Sequence, residues 1–199
     1  MRDFKDLIYE NNNSLSPEVC KEIILRFKRD DRKRPGVTGS GKVMPDIKKS
    51  TDLNISVLEE WKDIDQILFK TLTNEIEKYM KVAKKRIDLA DTPLWAKNIK
   101  DTGYNVKEYK PGDYYNWHID AHTYGDGWSR TIACIWYLDT VEEGGETEFN
   151  CGYKVTPSPG KLILFPSTWT YPHRGLSPIK GEKHIITSFM LTNDSMRTN

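Results

Sequence analysis

The sequence is short of cysteine, of long apolar runs and of net charge, and each shortage excludes a class of protein. Its three cysteines, Cys20, Cys134 and Cys151, are an odd number without metal-binding spacing, so we expect reduced thiols and not a disulfide scaffold. No apolar run approaches the length of a bilayer span, and the N-terminus lacks the apolar core of a signal peptide. These absences predict a cytoplasmic protein without a membrane partner.

Charges of the two signs nearly cancel, since 30 Lys and Arg stand against 29 Asp and Glu, for a net charge of +1. A chain without an excess of positive charge has no global field that recruits nucleic acid. Its 199 residues suit one domain with a substantial core. We therefore expect a single domain over residues 1–199, acting as a monomer.

The N-terminal part of the chain, to about residue 95, has helical patterning. Ser16, Pro17 and Glu18 combine a capping hydroxyl, a proline at the first helical position and an acid in the first turn, which predicts a helix start. A short strand is predicted near 53–57, and apolar residues from Val57 to Tyr79 keep the spacing of a long amphipathic helix. Residues 31–50 are basic and rich in Gly and Pro, which predicts a mobile loop or a lid that contacts substrate.

After residue 100 the pattern changes to short strands separated by Gly and Pro turns. The predicted strands are about 102–109, 114–120, 130–138, 146–149, 153–156, 161–165, 170–173 and 184–191. Many short strands at regular spacing are typical of a β-sandwich or barrel. Because the helices come first and the strands later, the fold class is α+β, mainly β, with the N-terminal helices packed on one face.

One short motif carries the chemistry. In a strand, side chains alternate between faces, so His118 and Asp120 are predicted to point to the same side. A second histidine from a distant strand, His173, would complete two imidazoles and one carboxylate, the facial triad typical of non-heme Fe(II) oxygenases. His122 lies on the same face as Asp120 and competes for this role, but we interpret it as a rim residue. His184 is interpreted as structural or exposed.

The residues around this motif resemble a known family. The segment from Tyr109 to Asp120 is similar to the Y-x-x-G-x-x-Y-x-x-H-x-D signature of the prolyl 4-hydroxylase branch of the 2-oxoglutarate/Fe(II) dioxygenases. Similarity continues through the arginine that opens a strand at 130, the segment 144–149 and the Gly-Glu-Lys at 181–183. It covers about residues 100–191 and implies a double-stranded β-helix, or jelly roll, over about 96–193.

The resemblance implies a role for each site residue. His118, Asp120 and His173 would hold Fe(II), and Lys183 would bind the distal carboxylate of 2-oxoglutarate through a charge-assisted hydrogen bond. Family positions that help to hold this end, or that face a peptide substrate, are occupied here by Tyr109 and Thr147, and by Tyr115, Arg130 and Phe189, respectively. The cosubstrates implied are 2-oxoglutarate and O2, and ascorbate is left open as a further cofactor.

The resemblance also implies an activity, hydroxylation of a substrate C–H with release of succinate and CO2. A prolyl residue in a protein or peptide is the leading substrate, although Phe189 stands where collagen-type relatives usually carry tryptophan. Three alternatives stay open: hydroxylation of a free amino acid or small metabolite, a nucleic-acid demethylase, and a non-catalytic jelly-roll module. The demethylase is disfavoured because those relatives bind the cosubstrate with arginine, and retention of Asp120 disfavours related halogenases.

Overall fold

Two β-sheets face each other and form the jelly roll, and both long helices lie on the outer face of the larger sheet. The structure is a computed structural model and describes residues 3–39, 41–88, 93–95 and 98–193. Helix α1 spans Pro17–Arg29 and helix α2 spans Lys62–Ile87. Single 3-10 turns occupy Phe4–Leu7 and Glu59–Trp61. None of these helices combines the length and apolar character needed to cross a bilayer.

Fifteen strands are found in the described part of the chain. In chain order they are β1 Tyr9–Asn11, β2 Arg34–Pro35, β3 Lys48–Lys49, β4 Thr51–Asn54, β5 Ile99–Asp101, β6 Asn105–Tyr109, β7 Tyr114–His118, β8 Ser129–Tyr137, β9 Glu143–Gly144, β10 Thr147–Phe149, β11 Lys154–Val155, β12 Leu162–Pro166, β13 His173–Gly175, β14 Pro178–Lys180 and β15 Lys183–Thr192. The larger sheet has the order β1-β12-β8-β15-β6-β4-β2, with β5 also paired to β15. The smaller sheet has the order β11-β10-β13-β7-β3, and β9 pairs with β14.

Alternation along the central strands divides the apolar residues between two cores. On β8, Ile132, Cys134 and Trp136 pack against the helices, whereas Ala133 and Ile135 point into the space between the sheets. The helices contribute their own apolar stripes, and the buried members on α2 are Ile64, Leu68, Leu72, Ile76, Tyr79 and Ala83. The predicted jelly roll with helices on one face is therefore confirmed.

Several local predictions need correction. Val57 is 73% exposed and precedes α2, which begins only at Lys62, so it does not belong to the buried stripe. The strand predicted near 53–57 is shifted toward the N-terminus and ends at Asn54. The strand predicted at 114–120 ends at His118. Each shift occurs at an element boundary, where periodicity carries the least information.

The segment 31–50, predicted as a mobile loop, is attached to both sheets near its ends. Arg34 and Pro35 pair with β4, and Lys48 and Lys49 pair with β7. Lys48 is buried, and Ser40 lies outside the described residues. The C-terminal end of the segment is thus a strand of the smaller sheet and not a free loop.

Strand β1 joins the N-terminal segment to the larger sheet and to helix α2. Tyr9, Glu10 and Asn11 pair with β12 at the edge of the larger sheet. The Tyr9 hydroxyl and the Asn11 amide both donate hydrogen bonds to the Glu75 carboxylate on α2, at 2.9 and 3.0 Å. Because these bonds satisfy the buried carboxylate of Glu75, β1 attaches α2 to the edge of the larger sheet.

Gly160 allows close packing against the residues that lead into α1. Its φ is +79°, and a Cβ added there would lie 2.1 Å from the Leu15 carbonyl oxygen. Its own carbonyl accepts hydrogen bonds from the backbone N–H groups of Ser14 and Leu15, at 2.9 and 3.2 Å. The turn before β12 and the residues leading into α1 are therefore so close that no Cβ fits between them.

Gly160→Ala is expected to destabilise the protein more than Gly152→Ala. Both glycines have a positive φ, but a Cβ at Gly152 would meet nothing within 4 Å. The backbone strain of an alanine in this region is common to both variants, at about 1–3 kcal/mol. The clash with Leu15 adds about 1–3 kcal/mol for Gly160→Ala alone. Urea unfolding of the two variants measures the difference, and equal free energies of unfolding would contradict the packing role.

Candidate active site

A cavity between the two sheets contains the predicted site. It is lined by the inner face of the larger sheet and by residues of β7 and β13. The lining residues are Lys107, Tyr109, Tyr115, His118, Asp120, Ala133, Cys134, Ile135, Thr147, His173, Gly175, Lys183, Ile185, Thr187 and Phe189. Most residues singled out from the sequence thus share one cavity.

Sheet register brings the two histidines together. His118 ends β7 and His173 begins β13, and the two residues are direct partners across the antiparallel pair. Asp120 follows two residues after β7, with its carboxylate oxygens 3.7 Å from His118 Nε2 and 3.4 Å from His173 Nε2. One ligand atom from each residue lies within 4.8 Å of the other two. Two imidazoles and one carboxylate therefore converge on one point.

The orientation of both rings fits a metal. The Nδ1 of His118 bonds to the Asn116 carbonyl oxygen at 2.8 Å, and that of His173 to the Tyr171 carbonyl oxygen at 3.1 Å. Because a carbonyl only accepts, each Nδ1 carries the proton and each Nε2 presents its lone pair toward Asp120. This arrangement, with a backbone acceptor behind each ring, is the one that fixes histidine ligands of metals.

Burial holds His118 in the form that a metal needs. Desolvation, and next the neighbouring His173, lower the pKa of His118 to about 3. The ring is consequently neutral at physiological pH. A ligating histidine must be neutral, so no proton has to be displaced before an ion binds.

A β-bulge places Tyr115 in the cavity. His118 pairs with His173, but Tyr115 pairs with Gly175, so three steps along β7 match two steps along β13. In a regular strand Tyr115 and His118 would point to opposite faces; the extra residue puts both on the same face. Their rings stack with centroids 3.5 Å apart. Burial, and next the charge of Asp120, raise the pKa of Tyr115 to about 12.

Lys183 presents a buried cation to the cavity. It is the first residue of β15, it pairs with Tyr109 on β6, and its ammonium lies 5.2 Å from the centre of the Tyr109 ring. Among the described residues, no carboxylate lies within ion-pair distance of its Nζ. Desolvation lowers the pKa of Lys183 to about 8, although Asp139 and Glu146 oppose this shift from a distance. A buried ammonium without a carboxylate partner is costly and favours the binding of an anion.

The two hydroxyl groups predicted beside Lys183 have different neighbours. Thr147 accepts a hydrogen bond of 2.6 Å from the Tyr137 hydroxyl, so its own proton stays available to the cavity. The Tyr109 hydroxyl lies beside Ser50, which in turn donates to Asp52 at 2.7 Å. Tyr137 was not predicted as a site residue, because its contact with Thr147 joins strands from different sheets.

A cationic and aromatic wall lies beside the triad. The Arg130 guanidinium stacks on the Phe189 ring at 3.9 Å and donates from Nε to the Tyr124 hydroxyl at 3.2 Å. Tyr124 was missed from the sequence because it lies in the loop before β8, outside any periodic pattern. His122 is exposed, packs edge-on against Tyr124 with ring centroids 4.5 Å apart, and lies outside the group formed by the triad.

Comparisons with known proteins agree on the fold and on the region of the site. Residues 104–191 match the family described as the 2OG-Fe(II) oxygenase superfamily. A probable prolyl 4-hydroxylase 9 of Arabidopsis thaliana is 32% identical over 118 residues, which are 46% of this chain and 41% of that protein. The chain thus spans about two fifths of the length of the curated relatives that it matches.

Two solved structures share the fold over nearly the whole chain. A viral collagen prolyl hydroxylase from Paramecium Bursaria Chlorella virus-1 has a TM-score of 0.62 at 19% identity and covers 94% of this chain and 96% of its own. A Trichoplax adhaerens prolyl hydroxylase, solved with a hypoxia inducible factor peptide fragment, has a TM-score of 0.71 at 20% identity and covers 96% and 86%. At these identities the likeness concerns the fold alone.

Proposed function

We propose that this chain is a 2-oxoglutarate- and Fe(II)-dependent oxygenase similar to prolyl 4-hydroxylases. It would hydroxylate a prolyl residue in a protein or peptide and convert 2-oxoglutarate and O2 to succinate and CO2. The observation that carries the proposal is the pairing, in one cavity, of the His118, Asp120 and His173 group with the buried ammonium of Lys183. Metal ligands and an anion site are the two parts that this chemistry requires.

Each part of the site has a task in this proposal. The triad would hold Fe(II), and the residues fit because both Nε2 lone pairs and the Asp120 carboxylate converge while the cavity side is open. The bound iron supplies the oxidising chemistry that turns a substrate C–H into C–OH. Lys183 would neutralise the distal carboxylate of 2-oxoglutarate, and the Thr147 hydroxyl would donate to the same group.

The surrounding wall would orient the substrate and exclude water. Tyr115 stacks on His118, and Phe189 lines the same cavity beneath the Arg130 guanidinium. Of the Arg130 side-chain N–H groups, only Nε has a hydrogen-bond partner among the described residues. The other N–H groups can bind a peptide carbonyl, and the aromatic rings beside them can pack against a proline ring. Ascorbate as a further cofactor and a cytoplasmic location remain part of the proposal.

The test is a direct search for product. Full-length protein is loaded anaerobically with Fe(II) and 2-oxoglutarate, exposed to air with peptides from cell extract, and the peptides are read by mass spectrometry. Succinate formation together with one added oxygen on a proline supports the proposal. Succinate formation with oxygen on another residue, or on a free metabolite, overturns the prolyl assignment but keeps the reaction class.

Binding of 2-oxoglutarate is expected to weaken as the pH rises through about 8. With the pKa of Lys183 near 8 in the ligand-free protein, the side chain is charged below pH 7 and is mostly deprotonated above pH 9. The carboxylate partner needs that charge, so the dissociation constant should rise about tenfold for each pH unit above 8. Titration calorimetry with Mn(II) in place of iron measures it.

Lys183→Arg is the matched control, because a guanidinium stays charged throughout this range. If the 2-oxoglutarate dissociation constant of Lys183→Arg does not change with pH while that of the wild-type protein rises, the pH dependence is assigned to Lys183. A slope of the same size in both proteins would mean that another group titrates.

A further inference from the structure

A second cationic group lines the same cavity and has no task in the chemistry above. Lys107 lies on β6, two residues before Tyr109, and both side chains face the cavity, whereas Glu108 between them points to the other side of the sheet. Two steps along a strand separate backbone positions by about 7 Å. Lys107 is therefore displaced along the strand from Lys183, which pairs with Tyr109.

One carboxylate is shared by two lysines at this point. Lys48 Nζ lies 2.7 Å from the Asp52 carboxylate and Lys107 Nζ lies 4.0 Å from it. Only 1% of the Lys48 side chain and 15% of the Lys107 and Asp52 side chains are exposed. The other Asp52 oxygen accepts from Ser50. Lys48 thus forms the shorter ion pair with Asp52. Lys107 lies at the distance limit for an ion pair with the same carboxylate.

The Lys48, Asp52 and Lys107 cluster borders the proposed iron site. Strand β3 pairs Lys48 with Tyr115, and the Lys48 ammonium lies 5.6 Å from the centre of the Tyr115 ring, which stacks on His118. Lys107 itself lines the cavity that contains the triad. Its ammonium therefore faces the same space as the three proposed iron ligands.

The charges that face the cavity do not cancel. Among the residues that line the cavity, Lys107 and Lys183 carry two positive charges against the one carboxylate of Asp120. The adjoining Lys48 and Asp52 form an ion pair whose charges cancel. A divalent ion and the 2-oxoglutarate dianion add equal and opposite charge, so one positive charge remains when both are bound. A partly buried excess charge of this kind favours an anionic ligand, because an unneutralised ion in a low dielectric is costly.

We propose that Lys107, held beside Lys48 by Asp52, is a specificity-determining residue that binds a carboxylate of the substrate. This inference rests on the proposed function and narrows its substrate class to molecules with an acidic group next to the hydroxylated residue. The carboxylate can belong to an acidic side chain beside proline in a peptide, or to a free amino acid. Lys107 supplies the charge-assisted hydrogen bond, and Lys48 fixes Asp52 so that it does not withdraw Lys107 from the cavity.

The test compares matched acidic and neutral ligands on protein loaded with Mn(II) and 2-oxoglutarate. Peptides carry proline with Asp or with the isosteric Asn at each adjacent position, and L-proline is paired with L-prolinamide. We expect the wild-type protein to bind the acidic member of one pair about tenfold more tightly or better, as a hydrogen bond to a charged group provides. A preference within the peptide pairs or within the proline pair identifies the source of the carboxylate.

Three variants assign the preference to Lys107. Lys107→Met should bring the ratio of the two dissociation constants to about one, and Lys107→Arg should keep most of it. Lys110→Met removes the same charge three residues away, from a side chain that is 59% exposed, and should leave the ratio as in wild type. Raising the salt concentration on wild-type protein alone should weaken only the acidic ligand, so the proposal is testable even if a variant does not fold.

Each other outcome overturns the inference. Equal affinities within all pairs for the wild-type protein would remove the anion site, and an unchanged ratio in Lys107→Met would assign it to another residue. Weaker 2-oxoglutarate binding in Lys107→Met, with peptide affinity unchanged, would make Lys107 a cosubstrate ligand. Wild-type protein that bound Mn(II) and turned over 2-oxoglutarate but showed no acidic preference would refute the inference alone, whereas failure of both would refute the proposed function.

Discussion

His118→Ala is expected to abolish 2-oxoglutarate turnover and to reduce iron retention. The substitution removes one of three converging donors, and loss of a partner outside the ligand set already lowers metal affinity by about 10–100-fold. Loss of a ligand should exceed that range. Metal analysis after gel filtration and a succinate assay measure the two effects.

His122→Ala is the matched control for this variant. It removes an imidazole four residues away that is exposed and lies outside the triad group. Its metal content should match that of the wild-type protein. If His122→Ala lost the metal and His118→Ala retained both metal and turnover, the assignment of the triad would be wrong.

Lys183→Ala is expected to weaken 2-oxoglutarate binding by about a hundredfold or more while metal retention stays as in wild type. Removing one partner of a buried, hydrogen-bonded ion pair costs about 3–5 kcal/mol, because the other charge is left unpaired. The dissociation constant of 2-oxoglutarate for the Mn(II)-loaded variant is the quantity to measure. The separation of the two effects follows from the geometry, since Lys183 is not among the residues that converge with the triad.

Lys180→Ala controls for the loss of a nearby lysine. Lys180 lies on β14, three residues before Lys183, with a side chain that is 69% exposed and paired with Glu142. An exposed pair of this kind contributes about 0–1 kcal/mol, so its loss should leave 2-oxoglutarate affinity unchanged. Equal weakening in both variants would point to a general field effect and not to a specific contact.

The parts of the fold that could be predicted are those with a local signal. The Ser16 cap is observed, with its hydroxyl accepting from the Val19 N–H at 3.3 Å. Long runs rich in apolar residues located β8 and β15 to within a residue, because both faces of these strands are largely buried. The strands β1, β2, β3, β5, β9 and β14 were missed, since two or three residues contain no measurable period.

The parts of the site that could not be predicted depend on partners distant in sequence. The bulge in β7 that turns Tyr115 into the cavity is defined by its register with β13, about 60 residues later. Neither Lys107 nor Lys48 was singled out from the sequence, and only the pairing of β4 with β6 and of β3 with β7 joins them at Asp52. Charge balance inside a cavity is a property of the assembled sheets.

Strand β1 has a consequence for the behaviour of the protein in solution. It covers the outer edge of β12, whose sequence Leu-Ile-Leu-Phe-Pro is among the most apolar in the chain. An uncovered edge of that composition would offer unpaired N–H and C=O groups to a second copy and would template intermolecular pairing. Tyr9, Asn11 and their bonds to Glu75 therefore protect the protein from aggregation, and only three residues of strand separate an apolar edge from the solvent.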